Sequence, residues 1–342
     1  MDRAPDTDHS WARTRIWVEE QLAPGERVVA AERLRGGWTS EMRRLLVQGP
    51  GTERALVLRS FVRPFFLEHA DGLLTREAEV LGLLGPTGVP AAELVAVDPT
   101  GAHCDHPSLL MTLLPGTIRL DDGNGDGDGP DPDTDRRADL LARQLAAIHR
   151  TEAAGQRRPR TYQAWTAPER VRVPERTTRP ELWRRAVDVL RQPPPPYVGR
   201  FLHRDFHPGN VLFSGTGPGL LVSGVVDWVE TSWGPADLDV AHCSTALALL
   251  HGAPAGLRFP DCYRAAGGEL DPAAGARRYW RLLDALAFAP DAEKVAVPWR
   301  ELGRTDLTPA LLTARLEGYL AGVLSPRSDE TPGGPSTIPR PA

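Results

Sequence analysis

A β-hairpin with polar side chains at one end is the sequence feature that most constrains how this chain can fold. Two apolar runs, residues 211–213 and 220–226, flank a turn rich in glycine, and this pattern predicts two antiparallel strands. Asn210 precedes the first strand and Asp227 follows the second, so antiparallel pairing brings both to the same end of the ribbon. Asp205 lies on the loop that enters the first strand. We therefore predict that two carboxylates and one amide meet in a small volume.

These residue types suit a divalent cation beside a reacting hydroxyl. Mg²⁺ prefers oxygen ligands and is usually held by one or two protein groups together with nucleotide phosphates, so Asn210 and Asp227 are candidate metal ligands. Asp205 is then left to orient or deprotonate an attacking hydroxyl. His203, Arg204 and Asp205, with Asn210 five residues on, have the H-R-D-x-x-x-x-N spacing of a phosphotransfer catalytic loop. The alternative is that these residues only shape a tight loop and cap a strand.

The segments that follow complete a resemblance to a known family. Val226-Asp227-Trp228 stands where protein kinases have D-F-G, and residues 233–242 match a G-P-x-x-x-D-x-A element. With the catalytic loop, the sequence resembles the aminoglycoside phosphotransferase family. The resemblance implies an α+β, bilobal, protein-kinase-like fold, with a small N-lobe of antiparallel sheet plus helix and a larger, mainly helical C-lobe. It also implies that Asp239 braces the catalytic and metal loops, with Asp237 as the alternative residue for that role.

The resemblance divides the chain at a hinge that follows the last strand of the N-lobe. Backbone groups near Thr112 and Leu113 would meet the nucleobase there. The implied divisions are an N-lobe at 1–110, a hinge at 111–116, a C-lobe with the catalytic loop and acceptor pocket at 117–325, and a disordered tail at 326–342.

Two N-lobe features would contact the nucleotide phosphates in such a fold. The turn at Gly36 and Gly37 would cover the phosphates with backbone N–H groups, although an ordinary hairpin turn also explains these glycines. Arg59 ends the third strand, where the family usually places a lysine. The resemblance implies that Arg59 binds the phosphates, but arginine is bulkier than lysine and not interchangeable with it. The alternative is a solvated charge at the end of a strand.

A short helix supplies the candidate partner of Arg59. Thr75 is the predicted N-cap of a helix over 76–84. On that helix Glu77 shares the apolar face with residues three, four and seven positions later. Because a carboxylate on a buried face needs a cation, we predict an ion pair between Glu77 and Arg59. The alternative is that Glu77 only complements the helix dipole.

Candidate acceptor-binding residues lie in the C-terminal half. Trp280 and Asp284 are one turn apart on a helix predicted over 277–288, and could line an acceptor pocket. An amphipathic core helix explains them equally well. The acidic, glycine-rich loop 121–133 could attract a cationic acceptor, or could be a plain solvated insertion.

The composition limits which binding partners and which cellular compartment we expect. Lys+Arg 40 against Asp+Glu 45 gives a net charge of −5 over 342 residues, which offers no electrostatic case for nucleic acid. The three cysteines show neither metal spacing nor a paired framework, as expected in a reducing cytoplasm. No apolar run reaches the ~20 residues that a membrane span requires, and residues 1–6 lack the features of a signal peptide. We therefore expect a cytoplasmic protein.

The expected activity is transfer of the γ-phosphate of ATP or GTP, with Mg²⁺, to a hydroxyl of a small molecule such as an aminoglycoside-like antibiotic or a metabolite. A catalytically weak or inactive nucleotide-binding protein is the alternative, because the usual lysine is absent at Arg59. A protein kinase is disfavoured, since no A-P-E element follows Asp227 and Trp228 replaces the Phe-Gly pair. The sequence leaves the acceptor, the nucleotide base and the oligomeric state open.

Overall fold

A computed structural model of the protein describes residues 11–34, 40–120, 132–153 and 158–325. The predictions for Gly36 and Gly37, for residues 121–131 and for the tail at 326–342 lie outside the described residues. The described strands are β1 (Arg27–Arg33), β2 (Glu41–Gly49), β3 (Thr52–Ser60), β4 (Leu94–Asp98), β5 (Ser108–Thr112), β6 (Thr117–Ile118), β7 (Gly199–Leu202), β8 (Val211–Ser214), β9 (Leu221–Val225) and β10 (Ser232–Pro235). The described helices are α1 (Ala12–Glu20), α2 (Pro64–Leu84), α3 (Pro132–His149), α4 (Pro180–Leu190), α5 (Ala236–His251), α6 (Ala253–Ala265), α7 (Ala274–Leu286), α8 (Glu293–Glu301) and α9 (Pro309–Val323).

The N-terminal sheet has the strand order β1-β2-β3-β5-β4, with antiparallel neighbours throughout. Side chains alternate between its two faces, as the period of a strand requires. Leu56 and Leu58 of β3 pack in one cluster with Trp17 of α1, whereas Val57 belongs to the cluster that contains Leu81 of α2. The sheet is therefore covered on one face by α1 and on the other by α2. The α+β, kinase-like fold expected from the sequence is confirmed.

Helix α2 is longer than the sequence pattern indicated. The helix predicted over 76–84 begins at Pro64, so the prediction of Thr75 as an N-cap was wrong. Proline is favoured in the first turn because an N–H group there has no partner within the helix, so the lack of an N–H in proline costs nothing. Ala70 and Leu74 continue the buried face toward the N-terminus. Thr75 lies inside the helix, where its hydroxyl donates to Asp71 at 3.4 Å.

The predicted hairpin is present as β8 and β9. Val211 pairs with Val225, and the Val226 N–H donates to the Asn210 carbonyl at 3.0 Å. The segment that leaves the N-terminal sheet crosses against this hairpin at Gly116. Its φ is +97°, and a Cβ there would lie 2.2 Å from the Ser223 hydroxyl oxygen, so only glycine fits.

Most of the C-terminal part is a helical core built around α5. Twelve of the sixteen residues of this helix are apolar or small, and nearly all sixteen are buried. It packs on α6, α7 and α9. Trp183 of α4 and Trp280 of α7 are fully buried in the same cluster. Among the described helices, none has the length and apolar character needed to cross a bilayer.

The packing predicts unequal effects for two substitutions in the N-terminal sheet. Leu45→Ala should lower the free energy of unfolding by about 2–5 kcal/mol, because Leu45 is fully buried and the truncation leaves a cavity. Val29→Ala is the control, since Val29 is 41% exposed, and should change it by less than about 0.5 kcal/mol. Denaturant unfolding checks both. Equal losses for the two variants would contradict this packing.

Candidate active site

Asp205 and Asn210 are in direct contact. The Asn210 side-chain amide donates to the Asp205 carbonyl at 2.9 Å and to Asp205 Oδ2 at 3.0 Å. The amide nitrogen therefore faces two acceptors, which leaves the amide oxygen of Asn210 for another ligand. A short helical turn over 208–210 carries Asn210 from the loop into β8. The structure thus brings together two of the three side chains predicted to converge.

Asp227 joins the site through Arg59. One guanidinium nitrogen of Arg59 donates to Asp227 Oδ1 at 3.1 Å and to both carboxylate oxygens of Glu77 at 2.9 and 3.0 Å. The predicted Arg59–Glu77 ion pair is present, and both side chains are buried. Burial opposes the charge of Arg59, but the carboxylates of Asp227 and Glu77 outweigh it and raise the pKa of the guanidinium. The cluster links β3, α2 and the end of β9.

His203 connects the catalytic loop to the strand that leads to Asp227. The Asp205 backbone N–H donates to His203 Nδ1 at 3.2 Å, so Nε2 carries the proton and donates to the Val226 carbonyl at 3.0 Å. Burial lowers the pKa of this imidazole, against the nearby carboxylates. The neutral ring thereby fixes the spacing between Asp205 and the end of β9.

Asp239, near the start of α5, holds the loop that contains His203 and Arg204. Its carboxylate accepts the backbone N–H groups of His203 and Arg204 at 2.8 and 2.9 Å. His149 of α3 contacts the same carboxylate at 3.2 Å. Asp239 is fully buried, and three donors offset the cost of burying its charge. This carboxylate therefore holds the turn that presents Asp205.

The alternative brace, Asp237, points elsewhere. It accepts the backbone N–H of Asp271 at 3.0 Å, and burial raises its pKa to about 6. The geometry therefore gives the bracing contacts to Asp239.

Two residues of the site have positive φ without being glycine, Arg204 at 75° and Asp227 at 65°. Such strained conformations persist where the surroundings enforce them and are concentrated at functional sites.

The side chain of Arg204 lies on an aromatic ring. Its guanidinium is 4.0 Å from the centre of the Trp165 ring, and its hydrogen bond to the Gln163 carbonyl is 3.4 Å long. The side chain is buried. In this arrangement the backbone of Arg204, through Asp239, shapes the catalytic loop, whereas its side chain packs under the segment around Trp165.

Two histidines that the sequence reasoning did not single out contact Asp205. His242 Nε2 lies 3.1 Å from Asp205 Oδ1, and His207 Nε2 lies 3.9 Å from the same atom. Burial would raise the pKa of Asp205, but the hydrogen bond from His242 and the neighbouring histidines hold it well below its usual range. His242 lies three residues after Asp239 on α5, a helical spacing that places both on one side of the helix. That spacing, in a helix whose other residues are mostly apolar or small, was the available signal.

Trp280 and Asp284 are buried, at 0% and 2% exposure. Their burial agrees with the core-helix alternative rather than with side chains that line an open pocket. Trp280 packs edge to face against Tyr162, Tyr197 and Tyr279. Asp284 contacts His242 Nδ1 at 3.0 Å and so reaches the site indirectly.

Backbone groups near Thr112 and Leu113 were predicted to meet a nucleobase, and the N–H groups of these two residues already have partners. Thr112 donates to the Glu93 carbonyl at 3.0 Å and Leu113 to the Ala55 carbonyl at 3.2 Å. A nucleobase at this position would have to use the other backbone groups of the segment that leads to Gly116. The contact with a nucleobase stays a prediction.

The residues present fit a divalent cation. The Asn210 amide oxygen and Asp227 Oδ2 accept no hydrogen bond from the described part of the protein. The other polar atoms of these two side chains, the Asn210 amide nitrogen and Asp227 Oδ1, are held by Asp205 and Arg59. The Asp227 side chain is 35% exposed, so it can be reached from solvent. Two oxygen atoms at one end of a hairpin are the donor set that Mg²⁺ uses beside a nucleotide.

Solved structures share this fold. They include aminoglycoside phosphotransferase APH(4)-Ia, with a TM-score of 0.55 and 17% identity, covering 91% of this chain and 98% of that one. The amicoumacin kinase hAmiN has a TM-score of 0.56 and 12% identity, covering 90% and 94%. APH(2")-IIia has a TM-score of 0.54 and 18% identity, covering 91% and 97%. At these identities the likeness establishes the kinase-like fold alone.

The family assignment comes from the sequence itself. The sequence model of a family described as "Phosphotransferase enzyme family" matches residues 30–283, more than half of the chain. The protein is therefore a phosphotransferase of the small-molecule kinase class. It belongs to the phosphotransferase enzyme family that includes the aminoglycoside phosphotransferases. No curated protein sequence matches the chain.

The buried brace predicts a pH-dependent loss of stability. Burial opposes ionisation of Asp239, but the hydrogen bond from His149 and nearby positive charges lower its pKa below the ordinary 3.8. Its stabilisation is therefore complete above pH 3.8 and is lost as the pH falls through the folded-state pKa. Asp239→Asn should cost about 1–3 kcal/mol at neutral pH, and this difference should shrink below pH 3.8.

Denaturant unfolding across the acid range measures this difference. Asp188→Asn is the matched control, because Asp188 is exposed and pairs with Arg191, the residue just after α4. It should leave the unfolding midpoint unchanged. An Asp239→Asn variant as stable as the wild type at neutral pH would rule out the brace.

Proposed function

We propose that the protein transfers the γ-phosphate of ATP or GTP, with Mg²⁺, to a hydroxyl of a small molecule. One observation carries the proposal. Asp205 and Asn210 are hydrogen-bonded at the end of a hairpin whose other strand is followed by Asp227, and Arg59 links that aspartate to Glu77. In phosphoryl transfer a carboxylate serves the acceptor, carboxylate and amide groups serve the metal, and a cationic side chain serves the phosphates.

Asp205 would receive the acceptor hydroxyl. Among the described residues its two carboxylate oxygens each accept one hydrogen bond, Oδ1 from His242 and Oδ2 from Asn210. A carboxylate has about four lone-pair positions, so capacity remains for an incoming O–H. Asp205 would orient this hydroxyl toward the γ-phosphorus and take its proton as the new O–P bond forms. At the same time the bond between the γ-phosphorus and the β–γ bridging oxygen would break, and the nucleoside diphosphate would leave. Positioning of this kind supplies much of the rate enhancement in phosphoryl transfer.

Asn210 and Asp227 would hold the metal ion, and Arg59 would act beside them. Mg²⁺, when bound, neutralises the charge of the phosphate oxygens. Arg59 keeps Asp227 in place through Oδ1, so that Oδ2 can face a cation. Arg59, which contacts Asp227, would also contact phosphate oxygens, as arginine does in planar, charge-assisted hydrogen bonds.

The structures of similar fold support a nucleotide and a small acceptor. One variant of APH(4)-Ia was solved with ADP and hygromycin B. The amicoumacin kinase was solved with AMP-PNP, Ca²⁺ and its antibiotic, and APH(2")-IIia with GDP and kanamycin. Adenine and guanine nucleotides both occur among them. For this chain the acceptor would be an antibiotic or a metabolite with a free hydroxyl, and the net charge of −5 supports no nucleic-acid partner. We place the reaction in the cytoplasm.

A second candidate function is nucleotide binding without transfer. Arg59 replaces the usual lysine and already contacts two carboxylates, Glu77 and Asp227. If its charge is used only to hold these residues, the phosphates lack a cation other than the metal. Nucleotide binding with Mg²⁺, but no diphosphate release with any of a panel of aminoglycosides, macrolides and small alcohols, would favour this function.

Substitution of the two aspartates tests the proposed reaction. Asp205→Ala should lower kcat by about 10²–10⁴-fold, the usual contribution of a positioned acid or base. Asp227→Asn should abolish turnover, because a metal ligand loses its charge. Diphosphate release measures both after the acceptor screen. Asp261→Asn is the control, since Asp261 is exposed and pairs with Arg264. Unchanged rates in the first two variants would remove the assignment.

A second pair of variants separates the two roles of Arg59. Arg59→Met should raise the KM for nucleotide by about 10- to 100-fold, since a charge-assisted hydrogen bond contributes about 1.5–3 kcal/mol. Arg59→Lys keeps a cation between Glu77 and Asp227 and should stay within about 10-fold of the wild type. Nucleotide titration and steady-state kinetics measure both effects. A nucleotide KM unaffected in Arg59→Met would show that Arg59 does not contact the phosphates.

A further inference from the structure

A buried histidine links the candidate catalytic aspartate to a second carboxylate. His242 of α5 is 2% exposed. Its Nε2 lies 3.1 Å from Asp205 Oδ1, and its Nδ1 lies 3.0 Å from Asp284 Oδ1. Three elements, the catalytic loop, α5 and α7, therefore meet at one imidazole ring.

The partners of His242 determine its protonation state. With both carboxylates ionised, each can only accept hydrogen bonds, so both ring nitrogens donate and the ring is an imidazolium. His203 and His207 differ, because each accepts a backbone N–H at Nδ1 and can be neutral. Burial opposes the charge of His242, but Asp284 and the hydrogen bond to Asp205 raise its pKa to about 9.

The surroundings favour a fixed cation at this position. His242 stacks on Phe288 with ring centres 5.6 Å apart and has edge contacts with Trp165 and His207. The charged or titratable groups that face it are Asp205, Asp284 and His207, with the ammonium of Lys294 on α8 over Phe288. Asp284 has a fully buried side chain, and its Oδ2 finds no hydrogen-bond partner in the described chain. An anion buried in this way requires a cation beside it.

A metal ion is the competing explanation for the cluster. The ligand atoms of Asp205, His207 and His242 lie within 4.8 Å of one another. However, Gly209 donates its N–H to His207 Nδ1 at 3.0 Å, so a neutral His207 carries its proton on Nε2. A proton on His242 Nε2 already bonds Asp205. Both nitrogens that would bind a metal are therefore donors, and the imidazolium occupies the place of the cation.

We propose that His242, held by Asp284, is a positioning residue that fixes the carboxylate of Asp205 for the acceptor hydroxyl. With Oδ1 held by His242 and Oδ2 by Asn210, the carboxylate plane has a single orientation. The positive ring also offsets the charge of Asp205, which would otherwise repel an incoming polyphosphate. The catalytic effect rests on the proposed phosphotransfer, whereas the protonation state of His242 does not.

The first test measures protonation directly. The imidazole ¹⁵N shifts of the wild-type protein should show His242 with both nitrogens protonated at neutral pH, titrating near 9. The signal is assigned by its loss in His242→Gln or by its displacement in Asp284→Asn. The assignment therefore succeeds even if only one of the two variants folds. A ring that is neutral at neutral pH, or that titrates near the ordinary 6.5, overturns the proposal.

The second test measures catalysis. His242→Gln and Asp284→Asn should lower kcat by about 10- to 100-fold, the cost of a small misplacement of a reacting group, with the nucleotide KM nearly unchanged. Wild-type kcat should fall as the pH rises through about 9, because the imidazolium is lost. In Asp284→Asn this alkaline limb should move to lower pH. His69→Gln is the matched control, since His69 lies exposed on α2, and should change neither value.

The outcomes separate the two proposals. Full kcat and an unshifted pH profile in both variants overturn the positioning role while leaving the proposed phosphotransfer intact. An imidazolium by ¹⁵N shift together with no transfer to any acceptor refutes the phosphotransfer, and the catalytic role of His242 with it.

Discussion

One buried guanidinium holds the candidate active site together. Arg59 donates to Glu77 and to Asp227 from a position that is almost inaccessible to water. Burying these charges costs several kcal/mol per ion, and only close hydrogen-bonded geometry compensates for it. Removal of one partner would leave an unpaired buried charge. The cluster is therefore a weak source of stability but a strict constraint on geometry, because β3, α2 and the end of β9 must stay in register for it to form.

A second network, of carboxylates and histidines, extends from the same hairpin into the helical core. Asp239 holds the turn that carries Asp205, and His203 ties that turn to the end of β9. His242 and Asp284 then support Asp205 from α5 and α7. Each buried polar group in such a network requires a hydrogen-bond partner. The side chains proposed to contact substrates are thus held in place by buried residues of the loop and of the helical core.

Features that depend on neighbouring positions in the sequence were predictable. The hairpin, the contact between Asp205 and Asn210 and the family followed from the residues between 201 and 242. The Arg59–Glu77 pair followed from a helical face that needed a cation. The same reasoning misplaced the start of α2, because a threonine that resembles an N-cap lies inside a helix begun by Pro64. The sequence could not decide whether Asp237 or Asp239 braces the loop. Side chains two positions apart on a helix point about 200° away from each other, and only Asp239 faces the loop. The His242–Asp284 contact joins residues 42 positions apart on two helices, which no local pattern encodes.

The central claim is that Asn210 and Asp227 meet at a divalent cation below a nucleotide. Mn²⁺ in place of Mg²⁺ tests it most directly, since a paramagnetic ion broadens the NMR signals of nearby groups. Asn210 and Asn124 are the only asparagines in the chain, so the Asn210 side-chain amide is readily assigned with an Asn210→Asp variant. We expect this amide signal to disappear when Mn²⁺ and a non-hydrolysable ATP analogue are added together, and to persist under the same conditions in Asp227→Asn. An Asn210 signal that stays sharp in the wild-type protein at saturating Mn²⁺ and nucleotide would contradict it.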